Sequence, residues 1–378
     1  MKQHLKKMMM PLAVVFSLAA GGAAMADDND AELAFQCNAP DLSSMSLPDR
    51  IETLMPSNVF VSNLVSPAPG APPQASGLGS GFIVDSERGY ILTNNHVIDG
   101  AAEIRVTFYD DTTINNLGQE ITARLLGVDE TLDLAVLQID FAGPLSCVTL
   151  GDSDQVRRAD QASAIGNPLG QAFTFTQGYI SHTQRSTDGG SGLYDFFQTD
   201  AAINRGNSGG GLYNIAGEVI GMNTAILSQS GGSIGIGFAT QSNDIAEVAN
   251  DIILYGMARR AGLGVQIQDI TDDIANAMGL QSGVGVIISG VVPDGPADFA
   301  GLRASDIILE VEGVEMNTTN ELARTISRFN PTDRIAIKIM RDGALQTIEV
   351  ALMDREAALN VEDEDNPERT PRLPVPMP

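Results

Sequence analysis

A serine set among glycines is the first feature of this chain able to do covalent chemistry: Gly206-Asn207-Ser208-Gly209-Gly210. Glycines let the backbone turn sharply, expose the hydroxyl and aim N–H groups at one point. An acyl-transfer nucleophile needs that arrangement, because its tetrahedral intermediate carries an oxyanion. A plain Gly/Ser turn has the same composition, so the serine needs partners. The base comes first. Of three histidines, His96 and His182 lie beyond the N-terminal leader described below. His96 follows an apolar β-run, Tyr90-Ile91-Leu92-Thr93. His182 ends another run with no acidic or glycine-rich setting, which suits a strand-end surface or packing residue. The base in turn needs an orienting carboxylate. Asp133 lies between Leu132 and Leu134-Ala135-Val136-Leu137, and a carboxylate inside a buried apolar strand is costly unless partnered. Asp99, Asp110, Asp111 and Asp129 have polar, loop-like settings in which solvation explains them.

Chain order separates the possible scaffolds. The α/β-hydrolases share G-x-S-x-G but place a histidine after the serine, and none follows Ser208. Subtilisin-like enzymes run Asp, His, Ser on an α/β scaffold. His96, Asp133, Ser208 is the chymotrypsin order, with separations of 37 and 75 residues. That spacing is compatible with His and Asp in one β-barrel and Ser in the next.

The surrounding elements agree with a β-rich frame. Short runs such as Ser80–Val84, Ile104–Phe108, Leu134–Ile139, Phe173–Ser181, Val219–Thr224 and Ile234–Phe238 are separated by glycine turns, which predicts a barrel or sandwich. Thirty-nine glycines and 18 prolines fit many turns. A helix is predicted over 243–255, with Ile245, Val248, Ala249, Ile252 and Ile253 on one face. Five regions follow: 1–26, 27–79 with an exposed Ser66–Gly77 loop, 80–256, 262–353 with mixed helix and strand signals, and an acidic, Pro-rich tail over 354–378 expected to be disordered.

Composition removes several function classes. The 378 residues are 43% hydrophobic and 19% charged, with a net charge of −26. After the first ten residues Lys338 is the one lysine. Binding to nucleic acid through phosphate neutralisation is disfavoured, and an anionic membrane surface repels such a chain. Three histidines and two cysteines make a multi-ligand metal site improbable, and no cofactor is implied. Residues 1–26 read as a secretory signal peptide: Lys2, Lys6 and Lys7, an uncharged stretch, then Ala24-Met25-Ala26. A retained anchor is the alternative. Cleavage near Ala26 leaves 19 basic against 48 acidic residues and implies the periplasm, with no stable membrane insertion. In that oxidising compartment Cys37 and Cys147 have one intramolecular pairing open to them.

Thr93-Asn94-Asn95-His96-Val97, Leu132-Asp133-Leu134-Ala135-Val136-Leu137, Ala164-Ile165-Gly166-Asn167-Pro168-Leu169-Gly170 and the run Gln198 to Gly210 resemble the HtrA/Deg family of periplasmic serine proteases. The resemblance covers about Leu47 to Met353. It implies a mainly β fold, a chymotrypsin-like double β-barrel followed by one PDZ domain. By the same resemblance His96, Asp133 and Ser208 are the catalytic residues. Gly206 and Asn207 belong to the oxyanion loop. Ile203, Thr224, Ala225, Ile226, Leu227 and Ser228 line the substrate strand and S1 pocket. Arg185, in a polar stretch from Thr183 to Gly192, matches a regulatory sensor. Leu263, Gly264, Val265, Gln266 and Ile267 match a loop and strand that capture peptide C-termini, with the peptide adding a β-strand. Ser305 stands where the family usually has Gly. Leu47 to Ser57 resembles a trimerising segment; packing on its own barrel is the alternative. The implied activity is ATP-independent cleavage of unfolded exported polypeptides by a trimer or multiple of trimers. A non-cleaving chaperone or scaffold, or a site-specific regulatory protease, are the rival readings.

Overall fold

The computed structural model describes residues 35, 37–66, 68, 70–113, 117–168, 173–186, 193–226, 232–271, 275 and 284–359. The leader and the tail beyond Leu359 fall outside them. Strands β1 (Asn58–Val65), β2 (Gln74–Ile83), β3 (Tyr90–Thr93), β4 (Glu103–Tyr109), β5 (Leu117–Asp129) and β6 (Leu134–Gln138) close into a barrel in the order β1-β2-β3-β6-β5-β4. Strands β7 (Gln161–Gly166), β8 (Thr174–Arg185), β9 (Phe196–Thr199), β10 (Gly211–Tyr213), β11 (Val219–Ile226) and β12 (Gly237–Gln241) close a second, in the order β10-β11-β12-β9-β8-β7. Closure leaves no sheet edge unpaired. Val59, Val61, Ile83, Ile91 and Leu137 fill the first barrel; Ala164, Phe197, Leu212 and Ala239 are in the core of the second.

The first barrel begins at Asn58 rather than at Ser80. β1 pairs with both β2 and β4 and is required for closure. β2 starts at Gln74, inside the stretch expected to be loop, because its exposed Gln74 and Ala75 still pair with Val65 and Leu64, and Gly77 with Asn63. The Leu47–Leu54 helix is capped by Ser46, and its Ile51 and Leu54 are buried in the core shared by the barrels. The Ser242–Tyr255 helix buries Ile245, Val248, Ala249 and Ile252 and ends on Gly256 at φ +80, where glycine escapes the Cβ penalty. Cys37 is disulfide-bonded to Cys147, with Cα atoms 5.9 Å apart, tying the N-terminal segment to the loop after β6.

The third module is a sheet in the order β14 (Val265–Asp269), β15 (Val286–Val291), β16 (Ile307–Val311), β18 (Arg334–Arg341), β19 (Ala344–Ala351). β17 (Val314–Glu315) pairs with β16, and β13 (Ala261–Gly262) with β20 (Met353–Asp354). The Thr319–Ser327 helix starts with a capping box between Thr318 and Glu321. Ser305 adopts φ +74, the left-handed region, which is why glycine suits that turn better. The tail does not begin at Asp354: Arg355–Leu359 is a short helix, and Ala358 on it is fully buried.

Asp129 is not a solvated loop residue. Arg260, just before β13, grips it with both guanidinium nitrogens at 2.7 Å, and both side chains are nearly buried. Arg260 also donates to the Tyr194 hydroxyl at 2.9 and 3.1 Å. Burial pushes the Tyr194 phenol up to about 12, so it stays neutral. Arg324 pairs with Asp195, and Arg328 lies 3.8 Å from Asp244. These contacts join the third module to β5 of the first barrel, to the second barrel and to the Ser242–Tyr255 helix.

Asp244 carries a pH dependence. Burial raises its carboxyl from 3.8 to about 6; Asp154 and Asp195 add to the rise, while Arg328 and Arg324 oppose it. Folding therefore favours the protonated form. The stability it contributes is complete below pH 3.8 and lost as pH rises through about 6. The displacement corresponds to about 3 kcal/mol. Thermal unfolding should give a lower midpoint at pH 7.5 than at pH 5, and Asp244→Asn should shrink that difference while leaving the part carried by Glu247, whose carboxyl burial raises to about 7. An unchanged pH dependence in the variant rejects this assignment.

Candidate active site

His96 sits on the single helical turn Asn95–Ile98 that follows β3. Its Nδ1 lies 2.6 Å from Asp133 Oδ2, and its backbone N–H donates to Asp133 Oδ1 at 2.9 Å. Asp133 itself is not inside a strand. It immediately precedes β6 with φ +56, a left-handed conformation that aspartate tolerates better than most residues. Its carbonyl accepts from the Asn95 amide at 3.1 Å and from Asn94 Nδ2 at 2.8 Å. The carboxylate is thus turned toward the imidazole and half-buried rather than sealed in the barrel. With Nδ1 facing Asp133, Nε2 of His96 is left for a second partner.

Ser208 lies on the loop before β10. Gly206 adopts φ +99 and Gly209 φ +84. A Cβ on Gly206 would land on the Asn167 carbonyl, and one on Gly209 on the Ser80 carbonyl, so only glycine fits at either position. The loop is held from the other barrel. Ser80 Oγ on β2 donates to the Gly206 carbonyl at 2.6 Å, and the Ser80 amide donates to the Ser208 carbonyl at 2.8 Å. Asn167 amide and Nδ2 each donate to Ser80 Oγ at 3.0 Å. With its carbonyls engaged behind it, the loop keeps the amides of Gly206 and Ser208 without an acceptor among the described residues. Those are the two donors an oxyanion needs.

Ser208 Oγ donates to the Thr224 carbonyl on β11 at 3.4 Å. Thr224 Oγ1 accepts from Asn94 Nδ2 at 3.2 Å, and the same amide reaches the Asp133 carbonyl. One side chain from the first barrel therefore touches both the carboxylate's backbone and the strand that faces the serine. Asn207 is buried, its Nδ2 on the Ala202 carbonyl. Ile203 is buried beneath Gly237 in the second barrel's core. Ala225 and Ile226 continue β11; Leu227 and Ser228 lie outside the described residues.

Arg185 is the last residue of β8, so Thr183 to Arg185 is strand rather than loop; residues 187–192 lie outside the described set. Its Nε donates to Gln198 Oε1 at 3.0 Å. His182 stands near it on β8, 2.7 Å from Arg158, and desolvation with the Arg158 and Arg185 charges holds its pKa below the ordinary value. In the third module Leu263 and Gly264 form the turn between β13 and β14, and Val265, Gln266 and Ile267 lie on β14, at the sheet's edge. Nothing local in the sequence marks Ser80, Asn94 and Asn167 for these roles, because their partners come from distant parts of the chain.

Two six-stranded barrels with a His–Asp pair on the first and a glycine-cradled serine on the second define a trypsin-like peptidase fold. The trypsin-like peptidase domain family matches residues 79–222, and the PDZ domain family matches residues 261–352. The HtrA-type protease AlgW, solved with a decapeptide, superposes with a TM-score of 0.71 at 39% identity, covering 82% of this chain and 99% of that one. The serine endoprotease from Yersinia pestis gives 0.61 at 32% identity, covering 82% and 98%. The periplasmic pH-dependent serine endoprotease DegQ of Escherichia coli K12 is 42% identical over 276 residues, 73% of this chain and 59% of that protein. This chain belongs to the HtrA-type family of serine proteases. It spans slightly under three-fifths of the length of the curated relatives it matches first, 58 to 59%.

Ser80→Ala should leave a folded protein whose nucleophile loop has lost its brace. A displacement of about 1 Å costs on the order of 10²-fold in rate. Hydrolysis of a chromogenic peptide should fall by that order, with circular dichroism unchanged. An undiminished rate would show that Ser80 does not position the loop.

Proposed function

We propose that this protein is an ATP-independent serine endopeptidase that degrades unfolded exported polypeptides in the periplasm. The observation that carries the reading is the brace at the barrel seam, which holds Ser208 with two acceptor-free amides beside a preformed His96–Asp133 pair. Ser208 attacks the carbonyl. His96 accepts the hydroxyl proton and returns it to the leaving amine, and Asp133 holds the imidazole with Nε2 toward the serine. Gly206 and Ser208 amides take the oxyanion; Asn207 keeps the loop in place. By the family resemblance Ile203 and Thr224 to Ser228 shape the substrate strand and pocket, and cleavage is expected after small aliphatic residues. Relatives named as a periplasmic serine protease and a periplasmic serine endoprotease support the compartment and the cleavage of polypeptides.

The third module is read as a PDZ domain that takes peptide C-termini at Leu263, Gly264, Val265, Gln266 and Ile267. The HtrA-type protease AlgW solved with a decapeptide and with a tripeptide supports this. Arg185 lies on the route from that module, since Asp195 beside its partner strand is paired with Arg324. Unfolded casein should be cleaved by the wild type and left intact by Ser208→Ala. A peptide with an apolar C-terminus should raise the wild-type rate, and Arg185→Ala should blunt that rise. Equal cleavage by both proteins would remove Ser208 as the nucleophile, and cleavage by neither would favour a non-cleaving chaperone or scaffold; an Arg185→Ala response like the wild type's removes the relay.

The protein also assembles, in this reading, as a homotrimer or a multiple of trimers, on the likeness of the Leu47–Ser57 segment to a trimerising one. The inward packing of Ile51 and Leu54 leaves the exposed side of that helix for a neighbour. Light scattering on residues 27–378 should give three chain masses or a multiple. A monomer at working concentration refutes the assembly.

A further inference from the structure

The groove between β14 and the Thr319–Ser327 helix has a third wall that no part of the sheet supplies. It encloses about 220 Å³, and Leu263, Val265, Leu322 and Ile326 make it apolar. Its remaining wall comes from the short helix after β20, through Arg355 and Leu359. That helix is fastened to the turn it overhangs. The Arg355 amide donates to the Arg260 carbonyl at 2.7 Å, β20 pairs with Ala261 and Gly262, and Ala358 is fully buried. A Cβ on Gly262 would meet the Arg355 Cα and the Ala358 Cβ at 2.8 Å, so glycine is what allows the helix to lie this close.

Arg355 is the one charged side chain among the described residues lining this groove. Its guanidinium makes no ion pair or hydrogen bond within the described residues, although 48 acidic residues crowd the chain. The amides of Leu263 and Gly264, on the turn beneath it, likewise donate to nothing described. Arg260, the arginine nearest that turn in sequence, is spent on Asp129 and Tyr194. A carboxylate entering an apolar groove is costly unless charged donors meet it, and a guanidinium fork is the strongest such donor a side chain offers.

We propose that Arg355 is a specificity residue of the groove: its guanidinium binds the terminal carboxylate of an incoming peptide, together with the Leu263 and Gly264 amides, while Leu359 closes over the last apolar side chain. The assignment rests on the PDZ reading above and adds a ligand from outside the sheet.

The test uses the full chain carrying Ser208→Ala, so that nothing is cleaved. Two fluorescent peptides of one sequence with an apolar last residue are titrated by anisotropy, one a free acid and the other a C-terminal amide. Arg355→Gln should weaken the acid about tenfold or more and leave the amide within about twofold, since a bond to a charged group is lost only with the acid. Arg355→Lys should recover part of the loss, as it keeps the charge without the fork. The amide serves as the internal control for an intact groove. Equal weakening of both peptides makes Arg355 a packing residue and overturns the proposal; so does no change in either. If neither peptide binds the parent protein, the PDZ reading itself fails, which is a different result from binding that ignores Arg355.

Discussion

A nucleophile on one barrel and its base on another react only if the seam between the barrels is stiff. Ser80 supplies that stiffness with three bonds at one residue. Its hydroxyl donates to Gly206, its amide to Ser208, and its carbonyl accepts from Thr93 Oγ1 at 2.7 Å. Thr93 leads directly into the turn that carries His96. The Gly206–Ser208 loop of the second barrel and the His96 turn of the first are thereby referenced to a single residue of β2. Asn167 completes the clamp, spanning the Val59 and Gly79 carbonyls with its side-chain amide at 3.3 Å. Ser80, Thr93 and Asn167 are buried, so a partner lost there is not readily replaced by water, and the penalty is correspondingly steep.

The same logic explains the glycines. Gly206 and Gly209 are there because the neighbouring barrel's backbone stands where their side chains would be. Their conformational freedom would be a liability on an open loop. Here the clamp removes it. The acidic residue is treated in a parallel way: Asp133 takes a left-handed conformation that costs free energy, and two amides on its carbonyl offset the cost. The strain falls on Asp133 and the brace on the Gly206–Ser208 loop.

What the sequence disclosed follows from this division. His96, Asp133 and Ser208 were legible because each sits in an unusual setting: a histidine after an apolar run, a carboxylate among leucines, a serine among glycines. The helix over 243–255 was legible because burial on one face imposes a 3.6-residue period. Ser80, Asn94 and Asn167 act across the seam, at separations of 87 residues or more in the case of Ser80 and Asn167, and nothing local marks a residue for a partner that distant. Asp129 misled for the same reason. Its neighbours look solvated, and the guanidinium that buries it arrives from position 260. β1 was missed because its exposed partner residues in β2 read as loop until the closing β4 contact is known.

Asp129 also gives the third module a short path to the site. Arg260 lies three residues before Leu263 of the Leu263–Gly264 turn and grips Asp129, whose Oδ1 accepts from the Leu132 amide at 2.7 Å. Leu132 is the residue before Asp133. From the peptide groove to the orienting carboxylate there are thus one ion pair, one hydrogen bond and a few covalent links. Proximity alone transmits nothing. The path becomes a relay only if Arg260 has two positions and a ligand favours one of them, because a ligand shifts an equilibrium by no more than its difference in affinity for the two states. The buried pair makes intermediate positions expensive: separating Arg260 from Asp129 leaves two charges without partners in a region that excludes water. A seam of this kind is held or released, with little in between. That is the physical property a switch needs, and the Arg260–Asp129 ion pair has it.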